Sequence, residues 1–262
     1  VIEVHLHIPY AVALFFFCAI VALYVIMGGL KGVMYTDALQ GAVMFVGMVV
    51  LLYLTYTRLG GVVEAHQALT DLAPRAVEIF GKAGHRGWTA MPSFGSPFWW
   101  ILVSSIIMGV GIGVLAQPQL AVRYMTVKST KELNRAILIG GIFILAMTGV
   151  AFVVGALTNV FFASDPEFGT IAFLAADKQI GSIIPLFIKR YMPPWLSSVI
   201  VVTLLAAAMS TVSSQFHAMG TAAGRDLYEA AARSGTAGRR SILATRMGIV
   251  LTLIISFTLA YV

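Results

Sequence analysis

The chain has 262 residues, 59% hydrophobic and 11% charged, with a formal net charge of +6 and a mean hydropathy of +0.92. That composition excludes a soluble globular domain and describes an integral membrane protein. The basic excess lies in short segments between apolar runs and forms no stripe with interleaved aromatics, which argues against nucleic acid as a partner and for membrane orientation.

A bilayer core takes roughly 20 apolar residues as helix, because each backbone polar group must be satisfied inside the segment. The first residue is Val and no basic n-region precedes the first apolar run, so the chain reads as a piece of a longer protein. Span A is expected over 9–30 and holds Cys18, the single cysteine, as a small packing residue. A connection over 31–38 leads to span B, 39–57. The outer connection 58–97 carries Gly60, Gly61, Gly81, Gly84 and Gly87 among its glycines, and a short helix is expected around Leu69 to Phe80. Span C follows over 98–122, then connection 123–135 and span D, 136–163. The outer connection 164–195 is too apolar for plain solvent, and short helices are expected there, ended by Pro193 and Pro194. Span E occupies 196–224, connection 225–240 comes next, and span F ends the chain over 241–262.

Charge tests this layout. The connections 31–38, 123–135 and 225–240, with the first residues of span F, carry ten cations against four anions, while the opposite side carries seven of each. Short loops rich in Lys and Arg stay cytoplasmic, so span A enters from outside and these three connections face the cytoplasm. The reading is a multi-pass protein of a prokaryotic cell (inner) membrane, in contact with lipid.

In chain order, Asp37 is the one carboxylate close to an inner boundary. It reads equally as a helix N-terminal residue favoured by the macrodipole or as a functional group. "GVGIG", Gly109–Gly113, is no dinucleotide fingerprint, since no strand precedes it. With Pro118 it marks an interrupted membrane helix whose freed backbone groups face a cavity. Span E contains "AAAMSTVSSQFHAMGTAAGRDLY", with Ser210 and Thr211 near its midpoint. Neutral oxygens suit a monovalent hard cation, whereas a divalent ion wants carboxylates. Small and hydroxylated residues also pack membrane helices closely, and on composition alone packing outweighs ion binding. His217 falls in the same span, where meeting water or a backbone carbonyl outweighs function.

"LAAAMSTVSSQ…GRDLY" after "PPW" resembles the signature helix of the sodium/solute symporter family, which includes proline, pantothenate and sugar transporters. "IMGGLKGVMYTDALQ", 26–40, and "VGIGVLAQPQLAVRYM", 110–125, resemble two further motifs of that family in the correct order. The resemblance implies an all-α membrane protein, part of a ten-helix inverted-repeat core of the LeuT type, of which the six spans would be core helices four to nine. It implies sodium binding by Ala207, Ser210 and Thr211, with helices of the same full-length chain completing the ion's shell. Asp37 and Ser214 are carried over as a candidate cation route, while Ser213 and Thr221 read as packing. Val110, Val114 and Pro118 form the candidate substrate wall. Proline transporters carry aromatics at the first two of these positions, so the chain departs from them.

The function implied is sodium-coupled symport of a small organic solute by alternating access, with sodium the only metal. A symporter-like sensor domain of a signalling protein is the second reading. A membrane enzyme fits less well, for the sequence has no H-E-x-x-H pattern and no pair of intramembrane carboxylates.

Overall fold

The computed structural model of the chain describes residues 9–226 and 239–261. Most of connection 225–240, including Leu227 and Tyr228 of the span E motif, lies outside the described residues. The helices are α1 (Tyr10–Arg58), α2 (Val62–Asp71), α3 (Ala73–Phe80), α4 (Pro97–Ala116), α5 (Pro118–Met125), α6 (Thr130–Ser164), α7 (Ala172–Ala175), α8 (Ile180–Tyr191), α9 (Pro194–Gly220) and α10 (Arg239–Tyr261). Among the described residues there is no strand. Five helices, α1, α4, α6, α9 and α10, are long and apolar enough to cross a membrane. The chain is a multi-pass integral membrane protein.

The starts of the helices follow from sequence. Ser96 caps α4 by accepting the amide of Trp99 at 3.2 Å, and Pro97 takes the first helical position, where no amide is needed. Ser129 caps α6 by accepting the amide of Glu132 at 3.3 Å, and Glu132 stands where a capping box puts its acid.

One expected boundary differs, and one expected interruption is found. Residues 31–38, expected as a connection, are helical, because α1 runs through them and leaves helical geometry only at Gly29 (φ 56°, ψ −158°). That backbone region belongs almost entirely to glycine. Beyond it "LKGVMYTDALQ" contains no proline to stop the helix. The expected span C is divided. α4 winds in wide π turns over Ile101–Ile112, tightens over Gly113–Ala116 and stops where Gln117 turns extended (φ −68°, ψ 132°) before Pro118 opens α5.

The chain forms two compact units, one joining the segment up to Met44 with that from Val201 onward, the other Phe45–Ile200. In the first unit Val21, Val25 and Val33 of α1 pack with Phe216 of α9 and Ile249 of α10. α10 meets the end of α9 and the wide turn Thr221–Asp226 at a glycine crossing. A Cβ on Gly248 would fall against the carbonyl oxygen of Gly220 and the backbone of Gly224. Close approach through small residues is how membrane helices gain van der Waals contact, since lipid offers no hydrophobic drive to pair them.

In the second unit Leu51 of α1, Val150, Val154, Phe161 and Phe162 of α6, Phe187 and Ile188 of α8 and Leu196 of α9 form the core. Polar groups fix the connection after α6. Asn159 donates to the Ala156 carbonyl at 2.9 Å and accepts the Ala172 amide at 3.1 Å, so one side chain ties α7 to α6. Asp165 accepts from the Glu167 amide at 2.9 Å, Arg190 Nε at 3.2 Å and the Tyr191 hydroxyl at 2.9 Å. The Glu167 amide, with Arg190 and Tyr191, holds the Asp165 carboxyl below the usual carboxylate range, against an opposing push from burial. Burial and the bond to Asp165 raise the Tyr191 phenol.

Two outcomes follow for the full-length protein in detergent. Gly248→Leu overpacks the crossing and lowers stability by about 1–3 kcal/mol, read as a fall in melting temperature; a wild-type melt would show that the crossing tolerates a side chain. Because the Asp165 carboxyl is depressed in the fold, its contribution is complete above the ordinary aspartate value of about 4 and is lost as pH falls through the lower folded value. Asp165→Asn therefore weakens the neutral-pH melt and flattens its decline on the acid side.

Candidate functional site

Asp37 stands about two turns beyond Gly29 on α1, half-buried, in the first unit. Facing it are Ser213 and Ser214 of α9, 176 and 177 residues away in sequence. Ser213 Oγ lies 3.3 Å from Asp37 Oδ1, and Ser214 Oγ lies 3.0 Å from Asp37 Oδ2. Each hydroxyl is also 3.0 Å from the main-chain carbonyl oxygen of Ser210. A hydroxyl has one proton, so each serine shares it between the carboxylate and that carbonyl. Five oxygens thus gather at one place: both of Asp37, two hydroxyls and one carbonyl.

The helix period explains the grouping. Positions 210, 213 and 214 are spaced i, i+3 and i+4, so they share the face turned to α1. Ser213 is fully buried and Ser214 half-buried. Tyr24, on the first half of α1, donates its hydroxyl to the Met209 carbonyl at 3.3 Å, one residue before Ser210. Gln40 is one turn beyond Asp37, and its Oε1 is buried without a hydrogen-bond donor among the described residues. Asp37 and Gln40, at i and i+3 on α1, thus put a carboxylate and a buried amide oxygen on neighbouring positions of one helix face.

The other sequence-predicted residues fall in three places. Thr211 is on the exposed flank of α9, and its hydroxyl donates to the Ala207 carbonyl at 3.0 Å, the usual bond of a helical threonine to the preceding turn. Ser210 lies between that flank and the Asp37 cluster, which takes its carbonyl. Val110, Val114 and Pro118 belong to the second unit, on the wound-down end of α4 and the first turn of α5, with Val110 66% exposed. His217 lies one turn past Ser213, and its carbonyl accepts the Thr221 hydroxyl at 2.8 Å.

Reading from sequence placed Ser213 with packing, yet its hydroxyl faces Asp37. It also gave Tyr24 and Gln40 no role. Gln40 closes the "TDALQ" motif three residues after Asp37, and that helical spacing is the signal that could have joined the two. Among the described residues no group of three or more His, Cys, Asp and Glu could hold a metal. One carboxylate among neutral oxygens is a donor set for a hard cation of low charge.

The family model of sodium:solute symporters matches residues 1–262. The chain belongs to the sodium:solute symporter family. It is 30% identical over 260 residues to the sodium/pantothenate symporter of Haemophilus influenzae, covering 99% of this chain and 48% of that protein. It is 28% identical to the osmoregulated proline transporter OpuE of Bacillus subtilis, covering 96% and 46%. Identity with the sodium/sialic acid symporter SiaT of Proteus mirabilis is 24%, covering 89% and 45%. The chain spans about half the length of these relatives. Their names are those of transporters, which favours the symporter reading over the sensor and the enzyme.

Losing the two serine donors weakens the solvation of a half-buried carboxylate. In the full-length protein the double substitution Ser213→Ala with Ser214→Ala should cost about 1–3 kcal/mol of stability and shrink the rise in melting temperature that added sodium chloride gives over choline chloride. If that rise is unchanged, the two hydroxyls serve packing alone.

Proposed function

We propose that the chain is part of a sodium-coupled symporter that takes up a small organic solute by alternating access, within a ten-helix inverted-repeat core of the LeuT type. The observation that supports this most directly is the oxygen cluster that α9 presents to Asp37. One sodium is held by the carbonyl of Ala207 and the hydroxyls of Ser210 and Thr211, and helices of the same full-length chain that precede this segment supply the remaining ligands. Thr211 now bonds the Ala207 carbonyl, so an ion between them replaces that single bond with two oxygen contacts. Asp37 and Ser214, with Ser213 and Gln40 beside them, form the route by which the ion leaves for the cytoplasm. The carboxylate attracts sodium from the midplane, and the flanking hydroxyls release it by turning their hydrogen bonds back to Asp37 and the Ser210 carbonyl.

Orientation follows the basic connections, which face the cytoplasm. One charge moving inward through a potential of 100 mV releases roughly 2.3 kcal/mol, enough for about fiftyfold accumulation of solute at one sodium per cycle. The solute wall of Val110, Val114 and Pro118 is apolar. The solutes for which the relatives are named, pantothenate, proline and sialic acid, all carry a carboxylate. A carboxylate here would be bound by amides at broken helix ends rather than by that wall. Lipid covers the exposed apolar faces of the spans.

The test is uptake by the full-length protein in proteoliposomes with pantothenate, amino acids, monocarboxylates and sugars as solutes. Ser210→Ala with Thr211→Ala should raise the sodium concentration for half-maximal uptake about tenfold or more, the loss of one to two hydrogen-bond-strength contacts. An unchanged sodium dependence would overturn the site, and sodium-independent uptake by the wild type would overturn the coupling.

A further inference from the structure

Where α1 breaks at Gly29, the first unit holds a cavity of about 300 Å³ that the symport reading does not use. Its walls come from Val25 to Gly29 of α1, from His217 of α9, and from Ile242, Thr245, Arg246 and Ile249 of α10. The chemistry is two-sided. Arg246, the His217 ring and the Thr245 hydroxyl make one part polar and basic, while Val25, Ile26, Met27, Ile242 and Ile249 make the other apolar. Among the described residues no carboxylate lines it.

Position and charge narrow the occupant. Arg246 lies one turn inside the span Ile242–Ala260, at a membrane boundary. Met27 is 73% exposed and Ile242 58% exposed, so the apolar part of the wall continues onto outward-facing surface. The stretch 225–246 carries five arginines, Arg225, Arg233, Arg239, Arg240 and Arg246, against Asp226 and Glu229. Basic pockets between membrane helices select anionic lipid headgroups. A free phosphate ion would meet the arginine but gain nothing from the apolar half, whereas a phospholipid places its phosphate by Arg246 and its glycerol and first methylenes along Met27 and Ile242.

We infer that this cavity seats the phosphate of an anionic phospholipid. The headgroup then wedges between the broken end of α1's first half and α10, tying the glycine break to the start of the last span.

Two substitutions test it from different sides. Arg246→Gln removes the charge at an exposed position. Gly28→Met fills the cavity without touching charge, and a Cβ at Gly28 meets no atom within 4 Å. Native mass spectrometry of the full-length protein titrated with phosphatidylglycerol or phosphatidylcholine reads lipid binding, independently of sodium or uptake. Wild type should bind phosphatidylglycerol in preference to phosphatidylcholine; Arg246→Gln should bind phosphatidylglycerol about fivefold more weakly, as for loss of one basic contact at an anionic surface, and Gly28→Met should also bind it more weakly, by occupying the seat. Wild-type affinity in both variants would overturn the site. Displacement of phosphatidylglycerol by millimolar inorganic phosphate would overturn the lipid assignment, leaving a seat for the free ion.

Discussion

A carboxylate among membrane helices is tolerated only if donors or a cation replace the water it has lost. In this chain Asp37 is such a group, and the hydroxyls of Ser213 and Ser214 are among the donors that reach it. The arrangement is economical in a physical sense. Each serine would satisfy its own hydroxyl by bonding the carbonyl one turn back, as Thr211, Thr221 and Thr148 do. Turning partway towards Asp37 costs little, because the Ser210 carbonyl remains within 3.0 Å of both. The hydroxyls can therefore serve the carboxylate or the helix, and a cation entering the cluster does not strand either.

The two units are held by different means. The first relies on close approach of backbones at Gly220, Gly224 and Gly248 and on the valine row of α1. The second relies on aromatic packing of Phe161, Phe162, Phe187 and Tyr191, fastened by the Asp165, Arg190 and Tyr191 network at its polar end. A glycine crossing is indifferent to charge and depends on shape. An ion-paired corner is tolerant of shape and depends on pH. The uncharged glycine contacts of the first unit are the ones that a change of charge at Asp37 would leave in place.

Much of this was legible in the sequence. Apolar runs point to α9 and α10, while α6 begins at Thr130, before the expected start of span D at 136, because its first turns are polar and are set by the Ser129 cap rather than by hydropathy. The division of α4 from α5 follows from Gly109–Gly113 and Pro118. What could not be read was the helicity of 31–38. Lys31 and Asp37 suggest a solvated connection, and only the serines of α9, far along the chain, show how Asp37 is accommodated within a helix. The role of Ser213 was hidden for the same reason. A buried serine in a span is a packing residue until its partner is known, and the partner lies 176 residues away.

Gly29 is where the local and the long-range parts of the structure join. Its backbone is open to glycine alone, so the break is written into one residue rather than into the packing around it. The residues on either side then serve separate ends. Val21, Val25 and Tyr24 hold the first half of α1 to α9, while Asp37 and Gln40 on the second half supply the oxygens that α9 faces. A straight helix through this point could not change the angle between those halves without moving one of them off α9. With the bend confined to Gly29, Val21, Val25 and Tyr24 fall on one side of it and Val33, Asp37 and Gln40 on the other, so α9 is met by both halves of a helix whose change of direction rests on one glycine.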